Sequence, residues 1–199
     1  MSEPEARGAA WTEEPVSGDE RRHCLKAGLR RANHRALKLR IDIVKYDAPD
    51  AAELIEEVQQ EYVVRYGNRD RAPVDAAEFE PPKGLFLVGY LDETDGQPGA
   101  VVAGTPVVCG GWRSHGDDAE IKRMYVRTAA RGAGHARALL AELERTARAA
   151  GHRRMILETG KMQPEAVALY RSSGYTDITP FGHYAGRPLS IHLGKTLAP

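Results

Sequence analysis

Cysteine is nearly absent from this chain. Cys24 and Cys109 are the only two in 199 residues, too few for a disulfide framework, so reduced thiols are expected. Long apolar runs are missing too: Leu85 to Leu91 is about the longest, far short of the ~18 residues of a membrane span, and no membrane role is expected. The first residues lack the basic-then-apolar layout of a secretory leader, and the reading is a cytoplasmic protein. Net charge is absent as well, with 28 basic residues against 28 acidic. No overall field therefore draws the protein to nucleic acid or anionic lipid, and a nucleic-acid partner is not expected. The seven histidines show no paired metal-ligand spacing, and no metal is expected. No internal repeat is present.

What is there has the composition of a globular protein, 42% apolar and 28% charged, long enough for one domain and an appendage. Residues 1–20 carry six acids against Arg7, and residues 21–40 carry eight Lys or Arg and no acid. Residues 1–38 are read as a disordered or partly helical extension whose basic half either neutralises the acidic tip or binds a polyanion or protein partner. Residues 39–199 are read as the folded domain. Leu39, Ile41 and Ile43 alternate with Arg40 and Asp42 as in a half-buried strand. Asp50, then Leu54, Ile55, Val58 and Tyr62 at helical spacing, predict a helix over 50–66 closed by Gly67, and the proline-bearing stretch 67–83 predicts a loop or broken helix. Strands are predicted at 84–91, 105–112 and 119–126. They are followed by a helix at 134–150, a strand at 153–158, a helix at 164–173 opened by Pro164, and strands near 175–180 and 189–196. This order implies an α+β fold with a mixed sheet and helices on both faces.

The most specific local feature runs from Val126 to Ala136, with Arg131, Gly132, Ala133, Gly134 and His135 between a predicted strand and a predicted amphipathic helix. Two glycines let the backbone turn and present successive N–H groups at the positive end of a helix dipole, which is a site for an anion such as a pyrophosphate. A Walker loop needs Lys followed by Ser or Thr after its second glycine, where His135 and Ala136 stand. A dinucleotide fingerprint needs a small residue at 137, where Arg137 stands, and the preceding strand is the fourth, not the first. The pattern Arg/Gln-x-x-Gly-x-Gly/Ala is met by Arg131, Gly134 and Ala136.

With this loop, and with Pro164 to Tyr175 ending Leu169-Tyr170-Arg171-Ser172-Ser173-Gly174-Tyr175, the chain resembles the GNAT superfamily of N-acetyltransferases. The resemblance implies the GNAT fold, a central mixed, mostly antiparallel sheet, and acetyl-coenzyme A (acetyl-CoA) as cosubstrate. Residues 131–136 would hold its pyrophosphate, while main-chain groups of Met124 and Val126, together with Gln163 in place of the family's usual Asn, would contact its arm. Tyr170 stands where the family places the proton donor to the departing thiolate. Glu120 stands where histone-modifying members carry a general base; there a raised pKa would suit the work, and the alternative is an ion pair with Lys122 two residues along the strand. Tyr62, Arg65, Lys122 and His183 are candidates for the acceptor side, with Arg65 offered to a substrate carboxylate. The acceptor implied is a primary amine of a small molecule or amino acid. Open alternatives are a protein lysine or N-terminus, and a non-catalytic acyl-CoA sensor. A homodimer is left open. Cys109 is read as a small core hydrophobe and Trp112 as packing.

Overall fold

The computed structural model describes residues 37–93 and 104–197. The acidic segment, the basic segment up to residue 36, Cys24 and most of the stretch from Asp92 to Gly104 lie outside the described residues. In chain order the elements are β1 (Leu37–Val44), α1 (Pro49–Tyr66), a 3-10 turn (Ala76–Phe79), β2 (Gly84–Glu93), β3 (Thr105–His115) and β4 (Asp118–Val126). A second 3-10 turn (Thr128–Ala130) leads to α2 (His135–Ala149), β5 (Arg154–Gly160), α3 (Pro164–Ser172), β6 (Thr176–Asp177) and β7 (Ser190–Thr196). Seven strands form one sheet in the order β1-β2-β3-β4-β5-β7-β6, and every pairing is antiparallel except β4 with β5. Among the described residues no helix is long and apolar enough to cross a membrane.

The period-two pattern of β2 feeds two cores. Leu85 and Leu87 join Trp112, Ile121, Leu139, Leu140 and Leu143 under α2, while Phe86, Val88 and Tyr90 join Ala51, Leu54 and Phe79 under α1. Helices thus cover both faces. The three α2 leucines are at most 1% exposed, and each contributes about 2 kcal/mol through burial. Trp112 is 2% exposed and its indole N–H donates to the Thr146 hydroxyl at 3.0 Å, so it is packing with its polar end satisfied.

Three local expectations need correction. Helix α1 begins one residue earlier, at Pro49 after Ala48, because proline at the first helical position needs no donor. Asp50 does not cap it; its carboxylate accepts from the Tyr90 hydroxyl at 2.9 Å. The strand expected over 175–180 shrinks to Thr176–Asp177, paired only with Gly194 and Leu193 of β7. Ile43 is 63% exposed, so the β1 alternation lapses at its end.

The feature that positions everything else is the poor match between β4 and β5. They share only two bridged pairs, Ala119 with Met155 and Glu120 with Ile156. Beyond these β4 continues to Val126 against β3 alone, and β5 continues to Gly160 against β7 alone. Past Glu120 and Ile156 no bridge joins the facing edges of the two strands. A bulge in β4 accompanies the divergence: Gly111 pairs with Lys122 and Cys109 with Tyr125, leaving Arg123 and Met124 opposite Gly110. Arg123 sits there at φ 57°, a left-handed conformation rare outside glycine.

Candidate active site

The loop after β4 supplies an anion cradle. Gly132 and Gly134 adopt φ 84° and 85°, which residues with a β-carbon rarely accept, and Gly134 is the N-cap of α2 with no side-chain cap. Residues 131–134 are exposed, and the amides of 132–135 have no backbone partner within the loop. The donor set therefore fits a pyrophosphate: unspent N–H groups at the start of a 15-residue helix. Arg131 lies beside them, its Nε donating to the Val126 carbonyl at 3.0 Å and its guanidinium over the Tyr125 ring at 5.6 Å.

Helix α1 reaches over the same opening. Glu61 holds Arg131 at 2.5 Å and Arg65 at 2.6 Å. Arg65 donates to the Met162 carbonyl at 2.7 Å and to Glu165. The Arg65 guanidinium is thus engaged by Glu61, Glu165 and the Met162 carbonyl of this chain, and it is absent from the lining of the cavity described below. Glu61 also offsets the charge of Arg131 next to the cradle. Glu61→Gln is expected to tighten acetyl-CoA binding about two- to fivefold, the worth of one partly exposed charge contact, as read by calorimetry at low salt.

Beyond the last bridged pair, β4 meets a tyrosine of α3 at Met124. Tyr170 on α3 is 6% exposed, and its hydroxyl donates to the Met124 sulfur at 3.4 Å. Burial pushes its pKa up, so it keeps its proton throughout the working range, as a donor must. Tyr62 sits nearby, raised by burial and by Asp70. Gln163 turns its side-chain oxygen onto the Thr159 hydroxyl at 3.3 Å and the Gly160 amide at 3.5 Å, closing the end of β5. Cys109 is fully buried, its thiol pushed well above the ordinary range by burial, which makes it inert.

A cavity of about 540 Å³ is lined by Glu120, Lys122, Glu158, Arg113, His115, Phe181, His183, Tyr184 and the stretch from Ala72 to Asp75. His183 packs edge-on to Tyr184 at 4.6 Å. The Tyr184 hydroxyl in turn donates to Asp70 at 2.8 Å. The predicted Glu120 and Lys122 meet here at 2.7 Å, but Arg113, which sequence reasoning missed, also binds Glu120 at 2.8 Å. The expected raised pKa of Glu120 is corrected. Burial pushes it up, but Lys122 and Arg113 outweigh burial and hold the carboxyl below its ordinary value.

Glu158 on β5 behaves in the opposite way, and nothing in the local sequence singled it out. Its carboxylate accepts from the Ser190 hydroxyl at 2.9 Å and forms no ion pair among the described residues. Burial pushes its pKa up, against the opposing pulls of Ser190 and Lys122 and with help from Asp70 and Glu120. A carboxyl raised in the folded state binds its proton more tightly there than in the unfolded chain. Stability therefore falls as pH rises from the unfolded value through the folded one. Glu158→Gln is expected to be more thermostable than the parent at neutral pH, with the difference vanishing below the ordinary carboxylate range, as read by melting curves against pH.

Comparison with known proteins accounts for this geometry. Residues 51–175 match the family model described as the acetyltransferase (GNAT) family. The chain belongs to the GNAT acetyltransferase family. It is 37% identical over 145 residues, 73% of this chain and 89% of the relative, to a protein of Azospirillum brasilense named IAA acetyltransferase. Among solved structures it resembles a protein from Klebsiella pneumoniae provisionally described as an acyl-CoA N-acyltransferase, with TM-score 0.63, 27% identity and coverage of 80% of this chain and 98% of that one. An IAA acetyltransferase from Bacillus cereus shares the fold at TM-score 0.55 and 15% identity, over 80% of this chain and all of that one. This GNAT protein is an acyltransferase enzyme, and acetyl-CoA is the cosubstrate typical of its family.

Proposed function

We propose that the protein transfers the acetyl group of acetyl-CoA directly to a primary amine of a small molecule. The observation that carries this reading is the cavity of about 540 Å³, lined by Glu120 and Lys122 of β4 and Glu158 of β5 and by none of the cradle residues. It is of a size for a small ligand; its aromatic rings and Glu158 suit an ammonium group, while the cations in its lining, Arg113 and Lys122, are held on Glu120. Bound in the divergence, acetyl-CoA supplies an activated acyl carbon to an amine in this cavity. In this reading the amides of 132–135 hold the pyrophosphate, and the free edge of β4 around Met124 and Val126 pairs with the arm. The Tyr170 hydroxyl hands its proton to the sulfur as the C–S bond breaks. The name of the A. brasilense relative supports acetyl transfer without fixing this chain's acceptor. Location in the cytoplasm belongs to the same proposal, as does an N-terminal extension ahead of the catalytic domain, whose first strand already includes Leu37 and Lys38.

The test is thiol release from acetyl-CoA with a panel of aliphatic and aromatic primary amines. The proposal expects acceptor-dependent release that falls sharply in Tyr170→Phe. Release that requires a peptide or protein acceptor, with no small amine turned over, overturns it.

A further inference from the structure

We infer that Glu158 on β5, rather than Glu120 on β4, takes the proton from the acceptor ammonium, and that Glu120 is a positioning residue that immobilises Arg113 and Lys122. This rests on the small-amine reading above and deepens it.

The geometry of the divergence makes the case. Glu120 and Ile156 form the last bridged pair, so Lys122 and Glu158 stand one side-chain repeat further along, facing each other across the opening on the two separated arms. Lys122 does not cross to Glu158; it is drawn back along its own strand onto one Glu120 oxygen at 2.7 Å. Arg113 from β3 takes the other Glu120 oxygen at 2.8 Å and also binds Glu78 at 2.6 Å. Both oxygens of Glu120 are spent on charge-assisted bonds, and that side chain is 3% exposed. A proton delivered there would leave two partly buried cations facing a neutral acid, a costly arrangement. Glu158 lines the same cavity, holds one neutral hydroxyl donor from Ser190, and can be protonated without breaking an ion pair.

The groups facing Glu158 come from every neighbouring element. Lys122 and Glu120 act from β4 and Asp70 from the segment after α1. Tyr62 and Tyr66 act from α1 and Tyr184 from the loop before β7. His192 is its cross-strand partner on β7, and burial pushes its pKa down. Asp70 is itself bound at 2.6 Å by Arg123. The net surrounding is poor in free cations, which agrees with the upward direction found for Glu158 and suits a proton acceptor.

The proton balance closes. The ammonium gives its first proton to the Glu158 carboxylate, which later passes it to solvent, and the neutral nitrogen forms the C–N bond to the acyl carbon. As the C–S bond breaks, the sulfur receives the Tyr170 proton, and the second proton leaving nitrogen restores Tyr170. One ammonium and one thioester give one amide, one thiol and one proton in solution.

The experiment uses the full chain with saturating acetyl-CoA and two probe amines, 2-phenylethylamine and 1,4-diaminobutane, and follows kcat/KM against pH. The inference expects an acid limb in the parent that is absent from Glu158→Gln, with kcat/KM about 10²- to 10⁴-fold lower. Glu158→Asp should recover the limb at reduced rate. Glu120→Gln should retain the limb, and calorimetry should show acetyl-CoA bound by every variant. An unaltered limb in Glu158→Gln, or its loss in Glu120→Gln alone, overturns the inference while leaving the small-amine reading intact. If the parent acetylates neither probe nor any other small amine, the small-amine reading fails and this inference goes with it.

Discussion

Tyr170→Phe is expected to lower kcat about 10²-fold or more, the usual worth of a positioned general acid, while acetyl-CoA affinity stays within about twofold of the parent. The hydroxyl is the only atom removed. It is buried, holds its proton firmly, and makes one weak contact, to the Met124 sulfur at 3.4 Å, so its loss leaves no strong donor or acceptor stranded. The Tyr170 ring, packed at 5.6 Å against Tyr175, remains. Stopped-flow thiol release together with calorimetry separates the two quantities. A parental rate would return Tyr170 to the role of a core residue.

Glu120→Ala is expected to cost about 3–5 kcal/mol, the penalty for stripping the partner from buried charge, and to lower the melting temperature by roughly 10 °C in a domain of this size. Lys122 loses the carboxylate that holds it at 2.7 Å, whereas Arg113 keeps Glu78 at 2.6 Å, which places the expectation toward the lower end. The linkage has a definite sign. Because the ion pairs hold the Glu120 carboxyl below its ordinary value, its contribution is present above the unfolded value and is lost as pH falls through the folded one. The gap in melting temperature between parent and variant should therefore narrow on acidification. A gap that is small and independent of pH would show that the cluster adds nothing to stability.

The elements of this GNAT fold were legible wherever periodicity was strong. The α2 leucines at 139, 140 and 143 and the alternation of β2 are consequences of which face each element buries, and the glycine pair at 132 and 134 announced its turn through the backbone conformations it permits. Tertiary pairings were not legible. Arg113 reaches Glu120 because β3 and β4 set them side by side, and Arg65 engages Glu61, Glu165 and the Met162 carbonyl because the last turn of α1 meets the first turn of α3. Glu158 lay in an ordinary strand pattern. Its character comes from burial and from Lys122 being held by Glu120, and neither is written within a few residues of it.

The central claim is that the divergence of β4 and β5 and the cradle at the start of α2 together bind acetyl-CoA. A crystal structure of the full chain with coenzyme A tests it most directly. The account predicts pyrophosphate oxygens within ~3 Å of the amides of residues 132–135 and the arm lying along the free edge of β4 between Ile121 and Val126. Coenzyme A bound elsewhere, with the edge of β4 and the amides of 132–135 free of it, would contradict the account.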